Sequence, residues 1–222
     1  PAQRLAQYHK AQRGLNVKVV TLDKIYQEFS SGKQDIGAIR NLVRYLYENA
    51  SVPENRIKYV GILGDTSIDY KNRLPGNNLV VPTFNTLFSS STWTSYMSDD
   101  FFGMMDANPS NGNDEGLMGP NEKVDVAFGR ILADDVTLAN AMIDKVLNYE
   151  KQASYGNWRN NIVMVSDDVD VDWEFNKLQV TLNELSDRIS QEKPFVNVKK
   201  IYMDAYEQQT SAGGNRYPDV ND

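Results

Sequence analysis

Two stretches of this chain are apolar almost without interruption: Ile57-Lys58-Tyr59-Val60-Gly61-Ile62-Leu63 and Ile162-Val163-Met164-Val165. A strand with one wet face alternates apolar and polar residues. A run without that alternation suits a strand covered on both faces, the habit of parallel sheets. The two runs end alike, in Gly64-Asp65 and in Ser166-Asp167-Asp168. Shorter runs at Val17–Val20, Val124–Ile131 and Lys199–Tyr202 read as further strands.

The stretches between carry helical spacing. Leu5 and Tyr8 mark a helix over residues 2–13 that Gly14 stops. Ile25, Tyr26 and Phe29 mark a short helix that Thr21 or Asp23 caps. Asp35 caps a longer one with Ile36, Ile39, Val43, Leu46 and Tyr47 on one face. Asp134 or Asp135 caps another, with Ala139, Met142, Ile143, Val146 and Leu147. The last starts near Asp172 and carries Phe175, Leu178, Leu182, Leu185 and Ile189. Strands separated by helices need crossover connections. The expected fold class is therefore α/β, a layered α/β/α architecture with mostly parallel sheets.

Residues 66–123 break the pattern. They are rich in Ser, Asn, Gly and Pro, with strand-like pieces only at Leu79–Val81 and Tyr96–Met105. Irregular segments of that length usually carry function. Residues 151–160, KQASYGNWRN, form a polar connector. It divides the chain into a first subdomain, 1–152, and a second, 153–222. The chain starts at Pro1 in a helical pattern and stops soon after Tyr217-Pro218, so both ends read as cuts in a longer protein.

Composition removes several chemistries. There is no cysteine, so these residues supply no disulfide, thiolate metal site or cysteine nucleophile. There is one histidine, His9, in the first helix, and no Ser-His-Asp set can be assembled around it. No run of about 18 apolar residues is present to cross a membrane. No G-x-G-x-x-G follows a strand, and Gly64-Asp65-Thr66-Ser67 lacks the spacing of a phosphate loop. The net charge of -7 argues against a nucleic-acid partner, which needs a basic stripe.

That charge is local. Residues 1–60 hold ten bases and five acids. Seven acids face only Lys123 within residues 99–125, and five stand without a base within 163–174. Alternating carboxylates can converge on a hard cation such as Ca²⁺. The candidate ligands are Asp167, Asp170 and Asp172 in one window and Asp99, Asp100 and Asp106 in the other. An EF-hand is excluded, because the sixth and twelfth residues from Asp167 are Asp172 and Leu178 where that loop needs Gly and Glu. The bland reading of the first window is an acidic turn that complements a helix dipole. Asp65 and Asp69 follow a buried strand, where ligands of open α/β sheets bind, yet Asp also favours turns and caps for its own sake.

The ordered succession LAQYHKAQRGLNVKVV, IYQEFSSGKQDIGAIRNLVRYLY, IKYVGILGDTSIDY, MSDDFFGMMD, VDVAFGRI, NYEKQASYGNWRNNIVMVSDD, KIYMDAY and RYPDVND resembles the gingipain-type cysteine peptidases, peptidase family C25. Within that family it looks closest to the sortases of the type IX secretion system. The resemblance implies a caspase-like fold of two side-by-side α/β subdomains. The first, 1–152, is non-catalytic. The second, from 153, is catalytic and incomplete at Asp222. The family's catalytic His and Cys follow strands of the second subdomain and are expected beyond Asp222, so this chain alone is expected to be inactive. A carboxylate after the first strand of that subdomain orients the histidine. The matching position is Asp168, with Asp167 one residue away. Structural Ca²⁺ is implied as a possible cofactor, and none for catalysis.

The parent protein is then expected to remove C-terminal secretion signals from cargo proteins, at the outer-membrane surface of a Gram-negative bacterium. Its expected partners are cargo C-terminal signal domains and outer-membrane components of the secretion system. The competing expectation is a non-catalytic, Ca²⁺-binding α/β interaction module. A third is a metal-dependent receiver with Asp167 and Asp168 on Mg²⁺, which lacks a clear phosphoacceptor.

Overall fold

A computed structural model describes residues 1–67, 69, 71, 73–76, 80–86, 90, 95–105, 123–169, 171–212 and 214–221. The chain forms two compact units, Pro1–Glu150 and Lys151–Asp222.

The first unit opens with helix α1, Ala2–Arg13, closed by Gly14 in the left-handed conformation (φ 63°). Only glycine enters that region without steric cost, so Gly14 ends the helix where the apolar spacing fades. Helices α2, Leu22–Phe29, and α3, Ile36–Glu48, follow. Asp35 caps α3 by accepting from the Gly37 N–H at 2.7 Å. Strand β1, Tyr59–Leu63, pairs in parallel with β4, Ala127–Ile131, in the register Tyr59↔Ala127 to Leu63↔Ile131. Between them the two-residue strands β2, Phe84–Asn85, and β3, Met97–Ser98, pair antiparallel. Helix α4, Val136–Tyr149, ends the unit, and Asp135 caps it by accepting from the Leu138 N–H at 2.7 Å. The core joins Ile25 and Tyr26 of α2, Ile39 of α3, Ile62 of β1, and the loop aromatics Phe101 and Phe102.

Three expectations fail here. Val17–Val20 is not a strand: among the described residues it joins no ladder, although Val20 packs against the core. Its β-branched residues fill space without a paired backbone, a common limit of β-propensity. Tyr96–Met105 is strand for two residues only and then turns through a 3-10 helix, Asp100–Gly103. Phe101 and Phe102 are both buried. Successive strand residues face opposite sides, so a tight turn is what sends both rings inward. The run from Val124 becomes strand only at Ala127.

The second unit is a βαβ crossover. Strand β5, Asn161–Ser166, pairs in parallel with β6, Asn197–Tyr202, in the register Asn161↔Asn197 to Ser166↔Tyr202. The connection runs through α5, Asp172–Phe175, a π-helical turn, Asn176–Val180, and α6, Thr181–Glu192. Lys200 of β6 donates to Asn183 and Asp187 of α6, each at 2.6 Å, which fastens the helix over one sheet face. A hairpin follows: β7, Gln209–Ser211, and β8, Gly214–Arg216, pair antiparallel. No helix of the described residues is long and apolar enough to cross a membrane.

Candidate functional site

Parallel strands end on the same side, so the segments leaving β5 and β6 share one edge of the second unit. Ser166 ends β5 opposite Tyr202. The buried Ser166 donates its hydroxyl to the Asp167 carbonyl at 3.1 Å. The Asp168 N–H donates to Asp167 Oδ1 at 3.1 Å. The next N–H, of Val169, reaches Asp204 Oδ1 at 3.4 Å, and Gln179 of the π-helical turn donates to the other oxygen of Asp204. The loop after β5 is thus fastened to the turn after β6.

Asp168 is the focus of this edge. Its Oδ2 accepts from Gln208 Nε2 at 3.2 Å, and its carboxylate also accepts the Tyr217 hydroxyl. The Tyr217 bond is the main cause holding the Asp168 carboxyl below its usual range, against a smaller upward push from burial. Reciprocally, the hydrogen bond to Asp168, then burial and the Asp168 charge, push the Tyr217 phenol up to about 12. At neutral pH the pair is therefore a carboxylate and an un-ionised phenol that donates to it. An ionised carboxylate has about four lone-pair positions, so Asp168 retains capacity for a further N–H donor beside Gln208 and Tyr217. A carboxylate fixed in this way can set the tautomer and orientation of an imidazole.

The other expected site residues lie as follows. Asp170 and Asp106 fall outside the described residues. Asp172 opens α5. Asp99, expected to face a cation, instead engages Arg130. The guanidinium donates to both Asp99 oxygens, Nε to Oδ2 and Nη2 to Oδ1, each at 2.7 Å. Its Nη1 also donates to the carbonyls of Val81 at 2.9 Å and Asp65 at 3.3 Å. Thr83 Oγ1 donates to Asp99 Oδ1 at 2.8 Å. Burial alone pushes the Asp99 carboxyl up, but these hydrogen bonds and the Arg130 charge outweigh it and leave it below its usual range. Asp100 N–H donates to Ser98 Oγ at 3.1 Å within the same turn. Asp65 Oδ1 accepts from the Thr66 N–H at 2.7 Å, and Asp69 Oδ2 from the Leu74 N–H at 2.6 Å, both local turn bonds. His9 lies in α1, its ring edge-on to Tyr8.

Among the described residues, no group of three or more His, Cys, Asp or Glu side chains is gathered to hold a metal ion. No step below passes through a metal.

Sequence reasoning missed Asp204 as the anchor of the loop after β5, and Gln208 and Tyr217 as partners of Asp168. Asp204 and Tyr217 lie inside the strings KIYMDAY and RYPDVND, so their segments were marked, but not their roles. Arg130 lies inside the string VDVAFGRI, which does not show the acid it meets.

Residues 1–222 match the model of peptidase family C25. No curated protein sequence is matched. Among solved structures, dimeric latent PorU from Porphyromonas gingivalis is 28% identical with a TM-score of 0.54, over 71% of this chain and 15% of that one. The Arg-specific cysteine proteinase gingipain R is 18% identical with a TM-score of 0.58, over 90% of this chain and 37% of that one. The second likeness shows the fold alone. The matched region spans well under two thirds of either structure. The mixed α/β architecture with parallel strand pairs is the fold shared with both. With its full length matched to the family, this chain belongs to peptidase family C25.

Proposed function

We propose that the chain is part of a C25 cysteine peptidase and that Asp168 orients that enzyme's catalytic histidine. The observation that carries this is the place of Asp168: an anionic carboxylate just beyond the end of a parallel strand pair, in a chain that matches the family throughout. With no cysteine and a single histidine in α1, the nucleophile and the base come from polypeptide outside these residues. In the reaction a thiolate attacks the scissile carbonyl, and the imidazolium gives its proton to the leaving amine. Water then releases the thioester. Asp168 steadies the imidazole and its charge throughout.

Likeness to PorU supports a finer reading. The parent enzyme acts as a sortase of type IX secretion, removing C-terminal signals from cargo proteins at the outer-membrane surface of a Gram-negative bacterium. Cargo signal domains and outer-membrane components of that system are its partners.

The test is Asp168→Asn in the full-length protein. We expect kcat on a cargo-derived peptide to fall by about a hundredfold or more, since a neutral amide presents the wrong partner to the imidazole. An unchanged kcat overturns the role of Asp168. Peptide hydrolysis by the purified 222-residue chain would overturn the placing of nucleophile and base. A full gene without a His and Cys pair would leave the competing reading, a non-catalytic interaction module.

A further inference from the structure

The β7–β8 hairpin has little structural reason to exist. Gln209, Thr210 and Ser211 of β7 are all exposed, so the hairpin adds little to a core. Its register gives it another use. Gln209 pairs with Arg216, which sets the two flanking residues, Gln208 and Tyr217, beside one another. Both then reach Asp168. Gln208 Nε2 donates to Asp168 Oδ2 at 3.2 Å and to the Tyr217 hydroxyl oxygen at 2.6 Å. A phenol has one proton. With its oxygen accepting from Gln208, that proton is directed to Asp168. Gln208 thus bridges the carboxylate and the phenol and fixes one against the other.

We propose that Tyr217, aligned by Gln208, is a positioning residue that holds the Asp168 carboxylate in the rotamer needed to receive the catalytic histidine. The inference rests on the reading of Asp168 given above. Asp168 and Val169 are only half-buried in the loop after β5, so hydrogen bonds contribute to fixing that rotamer. Tyr217 takes one acceptor position and Gln208 a second, which leaves the carboxylate presenting a defined remainder to the imidazole.

The experiment is a double-mutant cycle in the full-length protein, reading kcat and KM separately for Tyr217→Phe, Asp168→Asn and the pair. Tyr217→Phe is expected to lower kcat about tenfold, the scale of one charge-assisted hydrogen bond, with KM unchanged. In the Asp168→Asn background the same change is expected to cost less than about twofold, because a residue acting through Asp168 has nothing left to position. Gln208→Leu is expected to lower kcat in the same direction by a smaller factor, and it serves as the second variant if Tyr217→Phe folds poorly. An equal loss from Tyr217→Phe in both backgrounds shows a merely structural role and overturns the inference. So does an effect confined to KM, or wild-type kcat in both Tyr217→Phe and Gln208→Leu. If Asp168→Asn itself retains wild-type kcat, the reading of Asp168 fails and the inference falls with it. If only Asp168→Asn is impaired, the inference alone fails.

Discussion

The ion pair between Arg130 and Asp99 holds the irregular part of the first unit to its sheet. Only 7% of the Arg130 side chain is exposed, against 21% of Asp99, and the guanidinium also serves carbonyls of the segment after β1. Removing one partner of such a pair leaves the other charge poorly solvated. Arg130→Met is therefore expected to destabilise by about 2–4 kcal/mol, the low end reflecting the solvent that still reaches Asp99. A thermal melt within a degree of wild type would contradict it. The pair also makes a pH prediction. The folded carboxyl of Asp99 lies below its unfolded value, so its contribution is complete above that unfolded value, about pH 4. It is lost as pH falls through the lower, folded value. An Asp99→Asn variant is accordingly less stable at neutral pH, and its melting temperature falls less between pH 5 and 3 on the order of magnitude of one carboxylate. Parallel curves for the two proteins would refute this. None of it was legible in sequence. MSDDFFG shows acids, but not which acid meets a cation from a strand that begins more than twenty residues later. Asp168 differs because the resemblance marked its position, and the structure adds the partners that a linear pattern cannot pair across forty residues.

Helices were the most legible elements, because each is announced locally by its cap and its spacing. Asp35 was readable as a cap and Asp135 as one of two candidates beside Asp134, and each accepts a first-turn N–H. Asp135→Ala is expected to cost about 1 kcal/mol, measured by denaturant unfolding, and an unchanged midpoint would deny the cap its role. Short strands were less legible. Whether Val17–Val20 pairs depends on what lies beside it, and the same composition packs here without a ladder. The turn Asp100–Gly103 has a cause that only three dimensions show. A Cβ on Gly103 would sit 2.4 Å from the Val126 carbonyl oxygen, while Gly103's own carbonyl accepts from the Asp125 and Val126 N–H groups at 2.9 and 3.2 Å. Backbone meets backbone, so no side chain can move aside. Gly103→Ala is expected to destabilise the first unit by about 1–3 kcal/mol, the usual cost of overpacking. A neutral result would mean that the Phe101-Phe102 turn shifts freely.

At the scale of the whole molecule, an uninterrupted apolar run does not guarantee a strand covered on both faces. The run at 162–165 lacks alternation, which suits a strand covered on both faces. In this chain α6 covers one face, and Val163 and Val165 stand 51% and 54% exposed on the other. Among the described residues β5 pairs with β6 alone. An apolar face on a two-stranded parallel sheet, with open edges on both sides, is a template for further pairing. The purified 222-residue chain is therefore expected to self-associate as its concentration rises, through the second unit. Val163→Thr with Val165→Thr keeps the β-branched shape that suits a strand and adds a hydroxyl to each exposed side chain. The double variant should lower the apparent mass in light scattering while its melting temperature stays within a few degrees of wild type, because exposed positions contribute little to the fold. Equal association of both proteins would show that this sheet is not the adhesive surface, and a large fall in melting temperature would show that the two valines are packed rather than exposed.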